Sequence, residues 1–497
     1  MMPQLPFLTL LVFLPLCGGL LLPLCRGNLK WLRLTALGIA LLELALAAVA
    51  WREATILCAR PGMPAGFSFF VDIPWIAPLG IHYLLGMDAI SLLLVFLTAF
   101  ITVIAILSSW QAINRRPTLY YLLILVMESG IMGVFLALDL FLFYLFWEVM
   151  LIPMFFLIGI WGHGRSIYSS LKFFLFTLAG SLLMLLALMA VYLLHGSQTG
   201  SYSFALADLR NTAIPLATSI WLYAAFFLAF AIKFPLFPVH TWLPDAHTDA
   251  PTAGSIILAA LLLKTGAYGL IRFGYPLFPE AARTLTPLVI VLAVTGILYA
   301  SWIAFAQTDM KRLIAYSSIG HMGFVMLGIA AWNQVALSGA ILQMVNHGLT
   351  TGALFALVGM LDERTHTREI AAYGGVWGKA PVLAACFILF NMASAGLPGL
   401  NNFVGEFLIL TGSFRTWPLA AAIACAGIVL PLVYTVRLLQ EVLFQTERQP
   451  LMIAELSWRE ALLLGLVGLG VVGIGLHPAP LLELLRLPVT LLMGVSP

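Results

Sequence analysis

Charge is what this sequence has least of. Only 9% of its 497 residues are Asp, Glu, Lys or Arg, where a soluble protein carries about a quarter. Hydrophobic residues make up 62%. That balance excludes an ordinary soluble domain and points to an all-α polytopic membrane protein, for which residue-per-domain arithmetic does not apply. Cysteine is also scarce. Cys17, Cys25, Cys58, Cys386 and Cys425 are scattered, with no CxxC and no Cys/His group at metal-ligand spacing. Iron–sulfur and zinc sites are therefore not expected. No glycine-rich phosphate loop or dinucleotide fingerprint follows a strand, so no nucleotide site is expected. The net charge of +3 reflects membrane topology and not a nucleic-acid partner. The apolar stretch from Phe7 to Leu22 has no basic region before it and no small-residue cleavage pattern. It reads as a first span and not as a secretory signal.

What the chain does have is about fourteen apolar segments, each near the ~20 residues that cross a bilayer. They fall near 4–24, 34–51, 87–110, 118–137, 139–161, 168–194, 214–238, 253–272, 284–306, 312–332, 335–358, 381–411, 417–438 and 459–477. The longest loops, 52–86 and 359–380, are too short to hide a soluble domain. The apolar, proline-broken tail after Pro478 reads as lying at the surface. With the N-terminus outside, the inner loops hold fifteen Lys and Arg and the outer side seven. By the positive-inside rule both termini are expected outside, periplasmic for a bacterial inner membrane. The remaining two, Lys233 and Lys264, are intramembrane.

Those two lysines sit in the stretch from Ala229 to Leu270, where two apolar helices flank a loop rich in Pro, His and Asp. Pro235 and Pro238 follow Lys233 closely, and proline removes a helix hydrogen bond. The seventh span should break there. Free backbone groups cannot face lipid, so a broken span beside a buried charge is expected to line a packed or hydrated site. The twelfth span has a matching break, SAGLPGLNN, from Ser394 to Asn402. An offset of five spans makes the two units inverted in the membrane. The expected organisation is three N-terminal spans over 1–117, a first inverted repeat over 118–272 (spans four to eight), a second over 273–438 (spans nine to thirteen), and 439–497 for the fourteenth span and tail.

A mid-span charge costs roughly 2.5–3.5 kcal/mol on insertion scales, and this chain accepts that cost repeatedly. Glu148 lies within the fifth span, with Lys233 as its expected partner. A carboxylate beside a buried lysine keeps it charged, and moving the carboxylate away favours neutral lysine. This is a proton switch, or else a static salt bridge joining two helices. Lys264, His321 and His347, near the centres of the eighth, tenth and eleventh spans, would form the middle of a relay, since histidine can pass a proton between its nitrogens. Taken singly, each histidine could instead bond a carbonyl at a kink. Glu406, after the second break, would be the terminal carrier, or a contact to another subunit. Glu128 is mid-span, with an input, inter-subunit or structural role. Glu43 would simply face a neighbouring helix. Asp88 would cap the third span. Asp245, His247 and Asp249 are expected in an inner loop, capping the eighth helix. The ion carried is expected to be a proton, since no cluster of hard oxygen ligands favours sodium.

The segments KFPLFPVHTWLPDAHTDAPT, LLLKTGAYGL and AFAQTDMKRLIAYSSIGHMGF resemble the signature of the antiporter-like subunits of respiratory complex I. The resemblance runs from LGMDAISLLL at Leu85 through the thirteenth span. The family includes complex I subunits L, M and N, the large subunits of multi-subunit cation/proton antiporters, and membrane subunits of hydrogenases. In FVGEF, subunits L and N usually carry lysine where this chain has Glu406. That position resembles subunit M, the counterpart of mitochondrial subunit 4, as does the short chain after the fourteenth span. The resemblance implies that Glu148 and Lys233 match a Glu–Lys pair, Lys264 the central lysine, His321 and His347 the connecting histidines, and Glu406 the distal carrier. It also implies a proton-translocating subunit of NADH-quinone oxidoreductase with no redox centre of its own. NADH, FMN, iron–sulfur clusters and quinone would be bound by partner subunits, and neighbouring antiporter-like subunits would be its contacts in the bilayer. The alternatives are a subunit of a cation/proton antiporter or of a membrane-bound hydrogenase, and a purely structural membrane spacer.

Overall fold

The computed structural model describes residues 4–25, 27–56, 64–447 and 449–494. Cys58 and three arginines of the charge count, Arg26, Arg60 and Arg448, lie outside the described residues. Helices α1 (Gln4–Leu21) and α2 (Leu29–Ile56) lead into a hairpin, β1 (Phe67–Ile76) and β2 (Ile81–Asp88), followed by α3 (Ala89–Ser108) and α4 (Pro117–Leu136). The fifth span is α5 (Leu140–Val149) and α6 (Leu151–Trp161); the sixth is α7 (Ser166–Thr199). After the short α8 (Leu206–Leu209), the seventh span is α9 (Leu216–Lys233) and α10 (Trp242–Asp249). The eighth is built of α11 (Thr252–Ile257), α12 (Leu263–Gly269) and α13 (Tyr275–Leu277), joined by π-helical turns at Leu258–Leu262 and Leu270–Gly274. Then come α14 (Pro279–Phe305), α15 (Met310–Ala331), α16 (Gln334–Thr365), the short α17 (Val376–Lys379), the broken twelfth span α18 (Pro381–Ser394) and α19 (Asn401–Thr416), α20 (Pro418–Leu439), α21 (Trp458–Leu476) and α22 (Ala479–Leu492).

Among the described residues, thirteen helices are long and apolar enough to cross a membrane, and Pro381–Ser394 is a shorter apolar helix beside them. Both expected breaks are present, between Lys233 and Trp242 and between Ser394 and Asn401. A third interruption, at Met150, was not foreseen. Pro153 has no N–H for the Val149 carbonyl, so the helix cannot continue unbroken through that turn. The eighth span, α15 and α16 are almost wholly buried, while α7, α14 and α21 present Leu186, Trp302 and Leu469 outward. A lipid-facing rim around a buried polar centre follows from that pattern.

The region 52–86, read from sequence as a loop, instead carries the antiparallel hairpin, with Phe67 opposite Asp88 and Ile76 opposite Ile81. Phe69 stacks on Phe7 of α1 with ring centroids 4.9 Å apart, and Tyr83 donates to Thr9 at 3.1 Å. At its tip, Gly80 takes φ +64°, a left-handed conformation natural to glycine. The tail after Pro478 is the helix α22, and it buries Leu485, Pro488 and Val489.

Two of the loop assignments need correction. Asp245, His247 and Asp249 are on α10 and not in a loop, and the N-cap of α11 is Pro251 without a side-chain bond. Asp245 pairs with Lys172 at 2.7 Å, and Asp249 accepts from Ser169 at 2.5 Å. Arg272, counted as an outer-loop charge, is buried within the eighth span.

Candidate functional site

The α16 sequence QMVNHGLTT places Gln343, Asn346, His347, Thr350 and Thr351 at helical spacing on one face, and all five are buried. That stripe meets the eighth span, α15 and α19. The π turn at Leu258–Leu262 precedes Lys264, and its displaced carbonyl ladder leaves Ala259 O to accept from Lys264 Nζ at 2.5 Å. Lys264 Nζ also lies 2.7 Å from His347 Nδ1. The His347 and His321 rings are 5.7 Å apart between centroids. His321 Nδ1 is 2.7 Å from Glu406 Oε1, and its Nε2 is 3.3 Å from Ser394 Oγ at the second break. Gln343 donates to the same Glu406 oxygen at 3.1 Å. Lys264, His347, His321 and Glu406 thus form one buried series across four helices, each 4% exposed or less.

The break in the twelfth span is tied to this series. Asn346 donates to Asn401 O at 2.7 Å, Asn401 returns a bond to Asn346 O at 3.1 Å, and Thr350 donates to Asn401 Oδ1 at 3.1 Å. These side chains replace the backbone partners that the interrupted helix lacks. Sequence reasoning passed over Gln343, Asn346, Thr350, Ser394 and Asn401. The signal was available, because a polar stripe inside an apolar span has to face protein.

Glu148 and Lys233 are not brought into contact. Among the described residues Lys233 Nζ and Glu148 Oε1 have no hydrogen-bond partner. The lysine instead sits 5.5 Å from the Trp147 ring and 5.4 Å from the Phe173 ring, within cation–π reach. Glu148 remains near enough for its charge to act on the lysine. The expected ion pair is therefore a longer-range interaction, because the turn at Met150 sets Trp147 and not Glu148 against Lys233. Glu128 and Glu43 are both buried, on α4 and α2, and among the described residues their carboxyl oxygens have no hydrogen-bond partner at normal bonding geometry. Neither joins the series. Asp88 caps α3 as expected, accepting from Ser91 N at 2.9 Å.

Proton transfer needs heavy atoms about 2.6–3.2 Å apart, which holds at both ends of the series. An imidazole takes a proton on one nitrogen and releases it from the other, which suits the two ends of the series; between them His321 and His347 share no hydrogen bond, and their ring centroids stand 5.7 Å apart.

The model for the NADH:quinone oxidoreductase/Mrp antiporter transmembrane region matches residues 137–430, and that for the amino terminus of NADH-ubiquinone oxidoreductase chain 4 matches 31–138. NADH-quinone oxidoreductase subunit M of Pseudomonas aeruginosa is 44% identical over 483 residues, with 95% of each chain covered. The chain belongs to the NADH-quinone oxidoreductase subunit M family. Subunit M of Escherichia coli is 43% identical over 489 residues, again with 95% of each covered. A chain of respiratory complex I from Thermus thermophilus with bound NADH superposes with a TM-score of 0.87 at 32% identity, covering 98% of this chain and 100% of that one. Membership of the subunit M family makes this chain a membrane subunit of the antiporter-like fold, as the motifs around Lys233, Lys264 and His321 implied.

Proposed function

We propose that this chain is a proton-translocating subunit of NADH:quinone oxidoreductase, carrying protons through Lys264, His347, His321 and Glu406 while electrons pass through partner subunits. The observation that carries the reading is the buried series itself, bonded at 2.7 Å at both ends. Burial of four titratable groups inside a membrane core is expensive, and a merely structural seam would be served better by apolar packing. Lys233 and Glu148 act as the input side: the lysine's freedom from any bond leaves its charge responsive to movement of Glu148. The two broken spans mark corresponding places in two inverted units, 118–272 and 273–438, preceded by 1–117 and followed by 439–497. The NADH, flavin, iron–sulfur and quinone sites belong to partners, and the chain's membrane contacts are other antiporter-like subunits of a bacterial inner membrane, with both termini periplasmic. Cation/proton exchange is the second reading, favoured by the family model that this chain shares with Mrp antiporters.

The test is Lys233→Ala and Glu406→Gln in the assembled complex in sealed vesicles, with NADH-driven quinone reduction and proton uptake recorded together. Loss of both rates in an assembled complex supports a tightly coupled pump. Normal rates of both would make the buried charges structural and overturn the reading.

A further inference from the structure

The eighth span carries a second polar group beyond Lys264. Tyr268 and Arg272 follow at four-residue spacing, which stacks the three along one helix face. All three are buried. The Tyr268 hydroxyl donates to Phe135 O at 2.9 Å, lies 3.1 Å from Ser91 Oγ and accepts from Arg272 Nε at 3.1 Å. Arg272 Nη2 donates to Asp88 Oδ2 at 2.6 Å and reaches Ser91 Oγ at 3.4 Å. Asp88 and Arg272 in turn line a cavity of about 290 Å³ that is walled by the hairpin, by Ala207 and Arg210, and by Pro488 and Leu491 of α22. At the other end of the same span, Thr252 and Ala253 line a second cavity, of about 590 Å³, together with His163, Asp362 and Glu363. The eighth span therefore runs from one cavity to the other. Lys264 lies between them, about 18 Å of helix from Thr252 and about 12 Å from Arg272 at 1.5 Å per residue.

We infer that Tyr268, Ser91 and Asp88 form an outlet that passes protons from Lys264 to the cavity beneath the hairpin, with Arg272 as the residue that positions it. This rests on the proton-translocating reading and adds an exit to it that does not pass Glu406. Lys264 Nζ now points back toward Ala259 and His347, the direction helical side chains favour. Its flexible four-carbon stem lets it swing one turn to Tyr268. The Tyr268 hydroxyl first turns from Phe135 O to Ser91 Oγ and the Ser91 hydroxyl turns toward the Asp88 carboxylate; the ammonium then gives a proton to the Tyr268 oxygen as Tyr268 passes its own hydroxyl proton to Ser91 Oγ. Ser91 passes its own to the Asp88 carboxylate, and the resulting acid releases it to water in the cavity. The two hydroxyls end neutral and reset by rotation, and Lys264 ends neutral and ready to reload from the Lys233 side. Arg272 keeps its proton throughout; its role is to hold Asp88 and Tyr268 in register.

Two variants of the assembled complex in sealed vesicles test this. Tyr268→Phe removes the hydroxyl but keeps the ring, whose centroid is 5.3 Å from that of Phe135. Ala207→Cys, in a chain whose native cysteines are replaced by serine, puts a thiol on an exposed position of the cavity wall. A bulky, membrane-impermeant methanethiosulfonate, applied before the vesicles are sealed, can then plug the cavity from the side where residues 200–215 emerge. At least a threefold loss of proton uptake is expected in Tyr268→Phe, and in Ala207→Cys only after labelling. Wild-type uptake in the labelled Ala207→Cys complex would overturn the outlet, and so would wild-type uptake in an assembled Tyr268→Phe complex. If Tyr268→Phe does not assemble, the labelling decides alone. Lys233→Ala and Glu406→Gln measured alongside keep the two readings apart. If those variants lose uptake while the plugged complex keeps it, only the outlet is wrong; if they too keep it, the pumping role itself is wrong.

Discussion

Replacing Gly405 with alanine is expected to slow proton uptake by a factor of about 4 to 12 through a shift of less than an ångström. Gly405 sits where α19 crosses α16. A Cβ there would lie 2.3 Å from Gln343 Oε1, 2.9 Å from Gln343 Cβ and 3.1 Å from Gln343 Cα. The amide can rotate away, which forfeits its 3.1 Å bond to Glu406. The two carbons cannot. Carbon–carbon contact relaxes near 3.5 Å, so the helices must part by roughly 0.6 Å. Overpacking of this kind costs about 1–3 kcal/mol. Because α19 carries Glu406 and α15 carries His321, the same shift can stretch their 2.7 Å bond to about 3.3 Å, beyond the usual range. A charge-assisted bond is worth about 1.5–3 kcal/mol. Losing half of that from the transfer step is a factor of about 4 to 12, at 1.36 kcal/mol per decade. The assay is NADH-driven proton uptake in vesicles beside thermal unfolding of the purified complex. Gly378→Ala, with nothing within 4 Å of its Cβ, serves as the silent control. Wild-type uptake and an unchanged melting temperature in Gly405→Ala would refute the reasoning.

Two further outcomes follow from other parts of the chain. At Gly80, with φ +64°, a Cβ would stand 1.9 Å from Tyr202 O. Gly80→Ala should lift the hairpin from the 200–205 segment and lower thermal stability; an unchanged melting temperature would count against that packing. Glu455, in the segment between α20 and α21, accepts from the N–H groups of Val382, Leu383 and Leu456 at 2.9, 3.0 and 2.8 Å. Burial pulls its carboxyl up, but those three donors outweigh it and hold it below the usual carboxylate range. The unfolded chain then binds this proton more readily. The stabilisation is full above about pH 4.3 and is lost as pH falls through the lower folded value. Protection of the Val382 and Leu383 amides from hydrogen exchange, taken relative to the intrinsic rate at each pH, should fall on acidification, and Glu455→Gln should remove that acid dependence; an unaltered dependence would contradict it.

The two broken spans were legible because proline and glycine act locally, whatever surrounds them. Pro235 and Pro238 stop α9 at Lys233, and the Gly396–Gly399 region stops α18 at Ser394. Lys264, His347, His321 and Glu406 were legible as isolated charges in apolar runs, and the structure supplies their order. The Glu148–Lys233 contact was not legible, since it depends on how the fifth span is rotated about its turn at Met150, and that rotation sets Trp147 against the lysine. Arg272 was read as a loop charge because it lies near a span end; only its partner Asp88, 184 residues away, shows that it is buried. The π turns around Lys264 leave no mark in hydrophobic periodicity. The hairpin was hidden by Pro74 and by the short run between two apolar spans.

The most direct measurement is on His347→Ala, because His347 is the side chain that joins Lys264 to the second half of the series. Quinone reduction and proton uptake would be recorded together in vesicles holding the assembled complex. The expected result is a fall in both rates of at least tenfold, with assembly and melting temperature retained. Wild-type proton uptake in that variant would contradict proton movement through Lys264, His347, His321 and Glu406.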